Sequence, residues 1–312
     1  LFYQQLLYYN MNKINVLIAG STGYIGLQLI KLLVNHKKIN IKYLCGNSSA
    51  GKKISYFDKN LNKKKLPKII RFNKKLLKEV EVVFTALPNG QSQKISKVLL
   101  KNNILIDLSA DFRLKKANDF FKWYKIKHQA KYMIKKSIYA LPEIKKNLIK
   151  NYKIISCPGC YPTSILLPLI PLIKEKLINL DNIIIDSKSG YSGAGKKFEI
   201  SNIKNSNDLN FYNYKTNNHQ HICEIKQELE KNNSKKDINF SFNPHIMPVF
   251  RGIMSTIYCD LNTDITTNDI ENCYKNHYSD LPFIKIKKEK EKFDFFTVQN
   301  TNNCLIKLFP HS

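Results

Sequence analysis

Seven-residue apolar runs recur along the first half of the chain, at 14-INVLIAG-20, 39-INIKYLC-45, 82-VVFTALP-88 and 103-NILIDLS-109, and they read as strands. Between the first two, 24-YIGLQLIKLLVN-35 spaces its apolar residues as a helix does, and 91-QSQKISKVLLKN-102 predicts a second helix between the last two. Short apolar strands alternating with helices describe a parallel sheet covered on both faces.

Beyond residue 148 the pattern changes. A helix is predicted at 161–177, then strands at 182-NIIIDSKS-189, 239-NFSFNPHIMPV-249 and 252-GIMSTIYCDL-261. A helix at 267–278 and strands at 282-PFIKI-286 and 293-FDFFTVQ-299 follow. Strands in succession with few helices between them predict an α+β domain with a mixed or antiparallel sheet. The expected organisation is an extension at 1–10, a first domain at 11–147, a second at 148–295 and a closing segment at 296–312.

The first strand-to-helix turn carries chemistry. Gly20, Gly23 and Gly26 are spaced three apart between a strand and a helix. Small residues there let backbone N–H groups approach a pyrophosphate at the positive end of the helix. Gly20, Ser21, Thr22, Gly23, Tyr24 and Gly26 are therefore candidate cofactor contacts, with Ser48 and Pro88 from the loops after two later strands. The fold class expected is α/β: a Rossmann-like nucleotide-binding domain with a parallel sheet, plus an α+β substrate and dimerisation domain. The segment 41-IKYLCGNSSAGKK-53 has no carboxylate for a ribose hydroxyl but offers Asn47, Ser48, Ser49, Lys52 and Lys53. That favours NADP(H) over NAD.

Charge changes the picture less than its size suggests. The net charge of +27 would suit a nucleic-acid binder, but only Arg71, Arg113 and Arg251 among 51 basic residues are arginine. Lysine spread through a chain rich in Asn, Ile and Tyr marks compositional drift, so no nucleic-acid partner is expected. Solvated faces such as 62-NKKK-65 and 285-KIKKEKEK-292 fit that reading. The arginines that remain are candidates for positions that need a planar fork. The longest apolar run, 164-SILLPLIPLI-173, is too short to span a membrane, and the opening LFYQQLLYYN makes a poor signal peptide.

Seven scattered cysteines suggest a reducing compartment, hence the cytoplasm, and no disulfide framework. The pair in 156-SCPGCYPTS-164 has three readings: a redox pair, a zinc clip or one nucleophile. Zinc lacks a second C-x-x-C, and no metal is expected. Cys160 precedes Tyr161-Pro162, and proline favours a first helical turn, where a thiol's pKa is depressed. With a nucleotide loop upstream, one activated cysteine points to a thioester that is then reduced. Candidate acid/base residues lie at 219-HQHICEI-225, where His219 and His221 share a face if the segment is a strand and Glu224 is placed to orient one of them. His221, nearer Glu224, is favoured. The glycines of 189-SGYSGAGKK-197 suggest a loop approached closely by an anion or ring.

Together these motifs resemble the N-acetyl-γ-glutamyl-phosphate reductases of arginine biosynthesis, within the aspartate-semialdehyde dehydrogenase superfamily. The resemblance spans roughly 14–305 and rests on GSTGYIG, ALPNGQS, 107-DLSADFRL-114, 139-YALPEI-144, PGCYPT, SGYSGAG, HQHICEI and 244-PHIMPVFRGI-253 in order. It implies that Cys160 is the nucleophile and that Cys157, where relatives usually carry asparagine, is incidental. It implies that Ser192, Gly193, Ala194 and Gly195 contact the nicotinamide half of NADP(H), and that Arg113, Arg251 and Glu224 serve the substrate. A homodimer or homotetramer is expected. Gln220 and Lys196 stand where the family usually has arginine. The segment 297-TVQNTNNCLIKLFPHS-312 is expected to be a shortened return towards the nucleotide domain. The alternatives are an aspartate-semialdehyde dehydrogenase-type enzyme, from which ADFRL and HxH…E separate this chain, or a non-catalytic relative that binds no NADPH.

Overall fold

The structure, a computed structural model, describes residues 13–195, 210–233 and 238–310. The chain divides into two units between Pro158 and Gly159.

The first unit runs β1 (Ile14–Ala19), α1 (Tyr24–Leu33), β2 (Ile39–Cys45), β3 (Ile69–Ile70), β4 (Val82–Thr85), α2 (Gln91–Ser96) and β5 (Ile104–Asp107). It continues through α3 (Ala117–Tyr124), α4 (Lys131–Ile134), β6 (Ser137–Tyr139), α5 (Pro142–Ile149) and β7 (Ile154–Ser156). The strands form one sheet in the order β3-β2-β1-β4-β5-β7-β6, with every pairing parallel. Successive residues of β1 enter different cores. Val16 and Ile18 pack with Leu27, Ile30 and Leu44, while Leu17 and Ala19 pack with Val83, Leu105 and Phe112. Both faces are covered, which is why these strands read as unbroken apolar runs.

Two local differences from the sequence pattern have clear causes. Helix α2 ends at Ser96, short of the predicted 102. The Asn103 side chain takes the Leu100 N–H and donates to the carbonyls of Leu77 and Val80, so the chain turns there. The division between units falls at 158/159 and not near 148. Strand β7 pairs with both β5 and β6 and belongs to the first sheet, but at three residues it is too short to stand out in the sequence.

The second unit runs α6 (Cys160–Lys174), β8 (Ile183–Gly190), β9 (Tyr212–Asn213), α7 (Ile222–Lys231), β10 (Phe240–Met247), β11 (Ile253–Tyr258), α8 (Thr267–Tyr278), β12 (Ile284–Lys287) and β13 (Cys304–Lys307). Its main sheet, β11-β8-β10-β9, is mixed: β8 and β10 are parallel, and the outer pairings are antiparallel. Helix α6 passes through Pro168 and Pro171. Proline at 171 leaves the Leu167 carbonyl without its helical donor, and the Tyr278 hydroxyl supplies one at 2.6 Å. Residues 293–299, predicted as a strand, instead hold a 3-10 turn at Phe296–Val298. The Asp294 carboxylate starts it by accepting the N–H and hydroxyl of Thr297. The closing segment forms β13, which pairs in parallel with β12.

Candidate active site

In the first unit the strand order reverses between β1 and β4, and the loops leaving these two strands lie at their carboxyl ends. That is where open α/β sheets take their ligands. Gly20 has φ +85°, and a Cβ there would stand 2.2 Å from the Ala86 carbonyl oxygen. A Cβ at Gly26 would stand 2.2 Å from the Gly20 oxygen. Packing alone therefore requires both glycines. Gly23 is different: it caps α1 with ordinary angles, and a Cβ there would meet nothing closer than the Gly20 oxygen at 3.7 Å. The protein leaves room at Gly23 that it does not itself fill, which fits a pyrophosphate over the helix start. Ser21 is buried, its hydroxyl donating to the Cys45 carbonyl, whereas Thr22 and Tyr24 are half-buried. After β2, Ser48, Lys52 and Lys53 are exposed, and Lys52 Nζ lies 4.6 Å from the Tyr56 ring centroid. Pro88 is exposed at the end of β4, in a turn closed by Gln91 N–H to its carbonyl.

In the second unit Cys160 is the first residue of α6 and is exposed. The positive end of a fifteen-residue helix favours a negative sulfur at that position. Cys157 is held differently. Burial pushes its thiol up to about 11, with the nearby Asp107 adding to the effect. All seven cysteines are free.

The two histidines do not lie on a strand. His219 sits in a turn and His221 caps α7, whose apolar face is formed by Ile222, Ile225 and Leu229. Their environments differ in kind. His219 Nδ1 accepts the His221 backbone N–H at 3.1 Å. On its other side lies a directed chain: Tyr161 donates to the His245 carbonyl at 3.2 Å, and Tyr214 donates to Tyr161 at 3.3 Å. The Tyr214 oxygen is then left to accept from His219 Nε2 at 3.5 Å. A carbonyl at the far end fixes the direction of every donor, so His219 carries its proton on Nε2. Burial, reinforced by His221 and Lys215, pushes its pKa down to about 3. His219 is a neutral structural ring with neither nitrogen open. His221 instead lies against the start of α6: a Cβ on Gly159 would fall 2.6 Å from its Nε2. Glu224 is fully buried, one oxygen 3.8 Å from His221 Nε2 and the other accepting Gly159 N–H at 3.0 Å.

The remaining candidates divide by unit. Ser192, Gly193 and Ala194 form a short turn that ends at Gly195 (φ +78°). Tyr191 and Ser192 donate to the carbonyls of Val249 and Phe250, which joins the turn to the segment carrying Arg251. The Arg251 guanidinium lies over the Phe250 ring at 5.3 Å. Lys196 falls outside the described residues. In the first unit Arg113 donates from Nε to the Cys157 carbonyl at 2.9 Å and from Nη2 to that of Leu108 at 3.3 Å. Arg71 is exposed. Sequence reasoning missed Gly159, Tyr161 and Tyr214, and it missed the support given by alternate residues of 107-DLSADFR-113. Asp107 accepts from Thr85, and Asp111 accepts the N–H groups of Gly90 and Gln93 beneath the Pro88 turn. Burial raises the Asp111 pKa to about 6. The signal available was the polar alternation at 107, 109, 111 and 113. Among the described residues no group of three His, Cys, Asp or Glu side chains is placed to hold a metal ion, and no helix is long and apolar enough to cross a membrane.

Comparison with known proteins agrees with this division. Residues 15–152 match the semialdehyde dehydrogenase NAD binding domain, and 160–312 match the semialdehyde dehydrogenase dimerisation domain. Among solved structures, aspartate semialdehyde dehydrogenase II from Vibrio cholerae superposes with a TM-score of 0.69 at 15% identity, covering 95% of this chain and 88% of that one. Aspartate semialdehyde dehydrogenase with NADP from Candida albicans gives a TM-score of 0.62 at 17% identity, covering 92% and 86%. At such identities these show the fold alone. Sequence relatives lie nearer. The chain is 41% identical to the N-acetyl-gamma-glutamyl-phosphate reductase of Brachyspira hyodysenteriae, over 95% of this chain and 86% of that protein. It is 38% identical to that of Ehrlichia canis, over 96% and 86%. It is 35% identical to the probable chloroplastic enzyme of Arabidopsis thaliana, over 95% and 74%. The chain belongs to the N-acetyl-gamma-glutamyl-phosphate reductase family.

Proposed function

We propose that the chain reduces N-acetyl-glutamyl 5-phosphate to N-acetyl-glutamate 5-semialdehyde and phosphate with NADPH, a step of arginine biosynthesis. The observation that carries this reading is Cys160 at the start of α6, with the His221 ring against the residue before it. The Cys160 thiolate attacks the acyl carbon, and phosphate leaves with the electron pair of the broken C–O bond. The product is a thioester on the protein. The dinucleotide, held by Gly20–Gly26 and the Ser48 and Pro88 loops, supplies a hydride when bound. Lys52 and Lys53, with no carboxylate from 41 to 53, suit its 2′-phosphate.

His221 is the acid/base, because His219 has no open nitrogen. It donates a proton to the carbonyl oxygen as the tetrahedral centre forms. It takes that proton back as the C–S bond breaks and the aldehyde leaves. Arg251 and Arg113 provide forks for the substrate's carboxylate and phosphate, with Arg113 already giving two donors to backbone carbonyls. The assembly is a homodimer or homotetramer built through 160–312, supported by the dimerisation domain that segment matches. Seven free cysteines support a cytoplasmic site.

The test is phosphate-dependent reduction of NADP+ by N-acetylglutamate semialdehyde. Turnover that survives Cys160→Ala rules the thioester out, and a purified chain that binds no NADPH favours a non-catalytic role.

A further inference from the structure

Glu224 has no opening to a substrate. Its side chain is fully buried, and both oxygens face named groups: Oε2 the Gly159 N–H at 3.0 Å, Oε1 the His221 Nε2 at 3.8 Å. A buried carboxylate is costly unless hydrogen-bonded or paired. Here one partner is the amide that caps α6 and the other is an imidazole. Gly159 itself has φ −66° and ψ 160°, angles open to any residue. The three atoms nearest to a side chain there all belong to one ring: a Cβ would stand 2.6, 2.8 and 2.9 Å from Nε2, Cε1 and Cδ2 of His221.

We propose that Glu224 and Gly159 are positioning residues of the reaction. The carboxylate ties the nucleophile's helix to the acid/base and stands beside its ring, and the bare α-carbon at 159 is the seat of the imidazole. This rests on the assignment of Cys160 and His221 above. Among the described residues, the titratable groups near His221 include Glu224 on its own helix, His219 in the preceding turn with ring centroids 4.6 Å apart, and Cys160 and Tyr161 on the first turn of α6. Glu224 is the one carboxylate among those groups.

In aldehyde oxidation His221 must be neutral to accept a proton, so the rate climbs through its pKa on the acid side. Glu224→Gln keeps an acceptor for Gly159 N–H but removes the charge. Its acid limb of kcat is expected to move about one pH unit lower, with KM for the aldehyde unchanged. A raised KM with an unmoved limb would instead make Glu224 a substrate ligand and overturn the proposal. Gly159→Ala is expected to lower kcat by about 100-fold while Cys160 still reacts with iodoacetamide. Wild-type kcat in that variant overturns the seat. Should Gly159→Ala fail to fold, the double variant with His221→Ala decides the matter. Its Tm must return to that of His221→Ala, because the ring that collides is gone, and no recovery overturns the proposal. Undiminished turnover in Cys160→Ala would sink the thioester reading while leaving this Tm comparison intact.

Discussion

Two helices begin the same way and end up with different tasks. Helix α1 is capped by Gly23 at φ −72°, ψ 165°, and α6 by Gly159 at φ −66°, ψ 160°. Each follows a parallel strand, and neither has a side-chain cap or an acidic residue in its first turn. At Gly23 an added Cβ meets one atom at 3.7 Å, and at Gly159 it meets an imidazole at 2.6 Å. The first start is left bare and suits an anion brought from outside. The second is already occupied: Glu224 takes its cap amide, His221 covers its glycine, and the exposed residue is a thiol. The backbone motif is shared, and what packs against it sets the chemistry.

The largest break in this comparison is at the thiol. Cys160→Ala is expected to cut aldehyde oxidation on the order of 10⁴-fold or more, read as kcat in steady state. His221→Asn comes next, with a loss of about 10² to 10⁴ in kcat, the range for a removed general acid/base. His219→Asn preserves an acceptor for the His221 N–H and should fall well short of that loss. Equal losses would mean that the hydrogen-bond direction assigned through Tyr214 and Tyr161 is wrong. At the bare helix start the expected effects are smaller and separable. Gly23→Ala should leave Tm near wild type and raise KM for NADPH about 10- to 100-fold, the counterpart of 1–3 kcal/mol of overpacking. Gly26→Ala, whose Cβ collides with the chain itself, should lose Tm first. A Gly23 variant with unchanged KM would show that no pyrophosphate lies over α1.

What the sequence reveals at these two starts follows from where the causes lie. Glycine is called for at 20 by its own φ of +85° and at 26 by the Gly20 oxygen, both inside residues 20–26, so local spacing disclosed them even though Ala86 also crowds Gly20. The need at 159 comes from a ring 62 positions later, and nothing local marks it. His219 and His221 looked alike because their alternation suggested a strand, although Ile222, Ile225 and Leu229 already spelled a helix. What separates them is a tyrosine at 161 and another at 214, one of them far off in the chain. Long strands such as 14–19 and 183–190 were visible, whereas the three-residue β7 was not, and the domain boundary moved with it. Arg113 is read easily as a fork, but its first partners are the chain's own carbonyls.

The smallest effect tests the neutral ring directly. The His219 side chain takes up a proton near pH 6.5 in an unfolded chain and only at about 3 in the folded one. Between those values the unfolded state binds more protons, so folding stability must fall as pH falls, by about 1.4 kcal/mol per pH unit once below 6.5. Above pH 6.5 the contribution is constant. His219→Asn removes the titrating group and keeps the acceptor. Denaturant unfolding of the two proteins at pH 7.5, about 6 and about 5 should therefore show the variant less stable at the highest pH and the gap closing as acid is added. A gap that stays constant across that range would mean the ring is protonated in the folded protein. His219 would then be restored as a candidate for the acid/base, and the difference drawn between the two histidines would be lost.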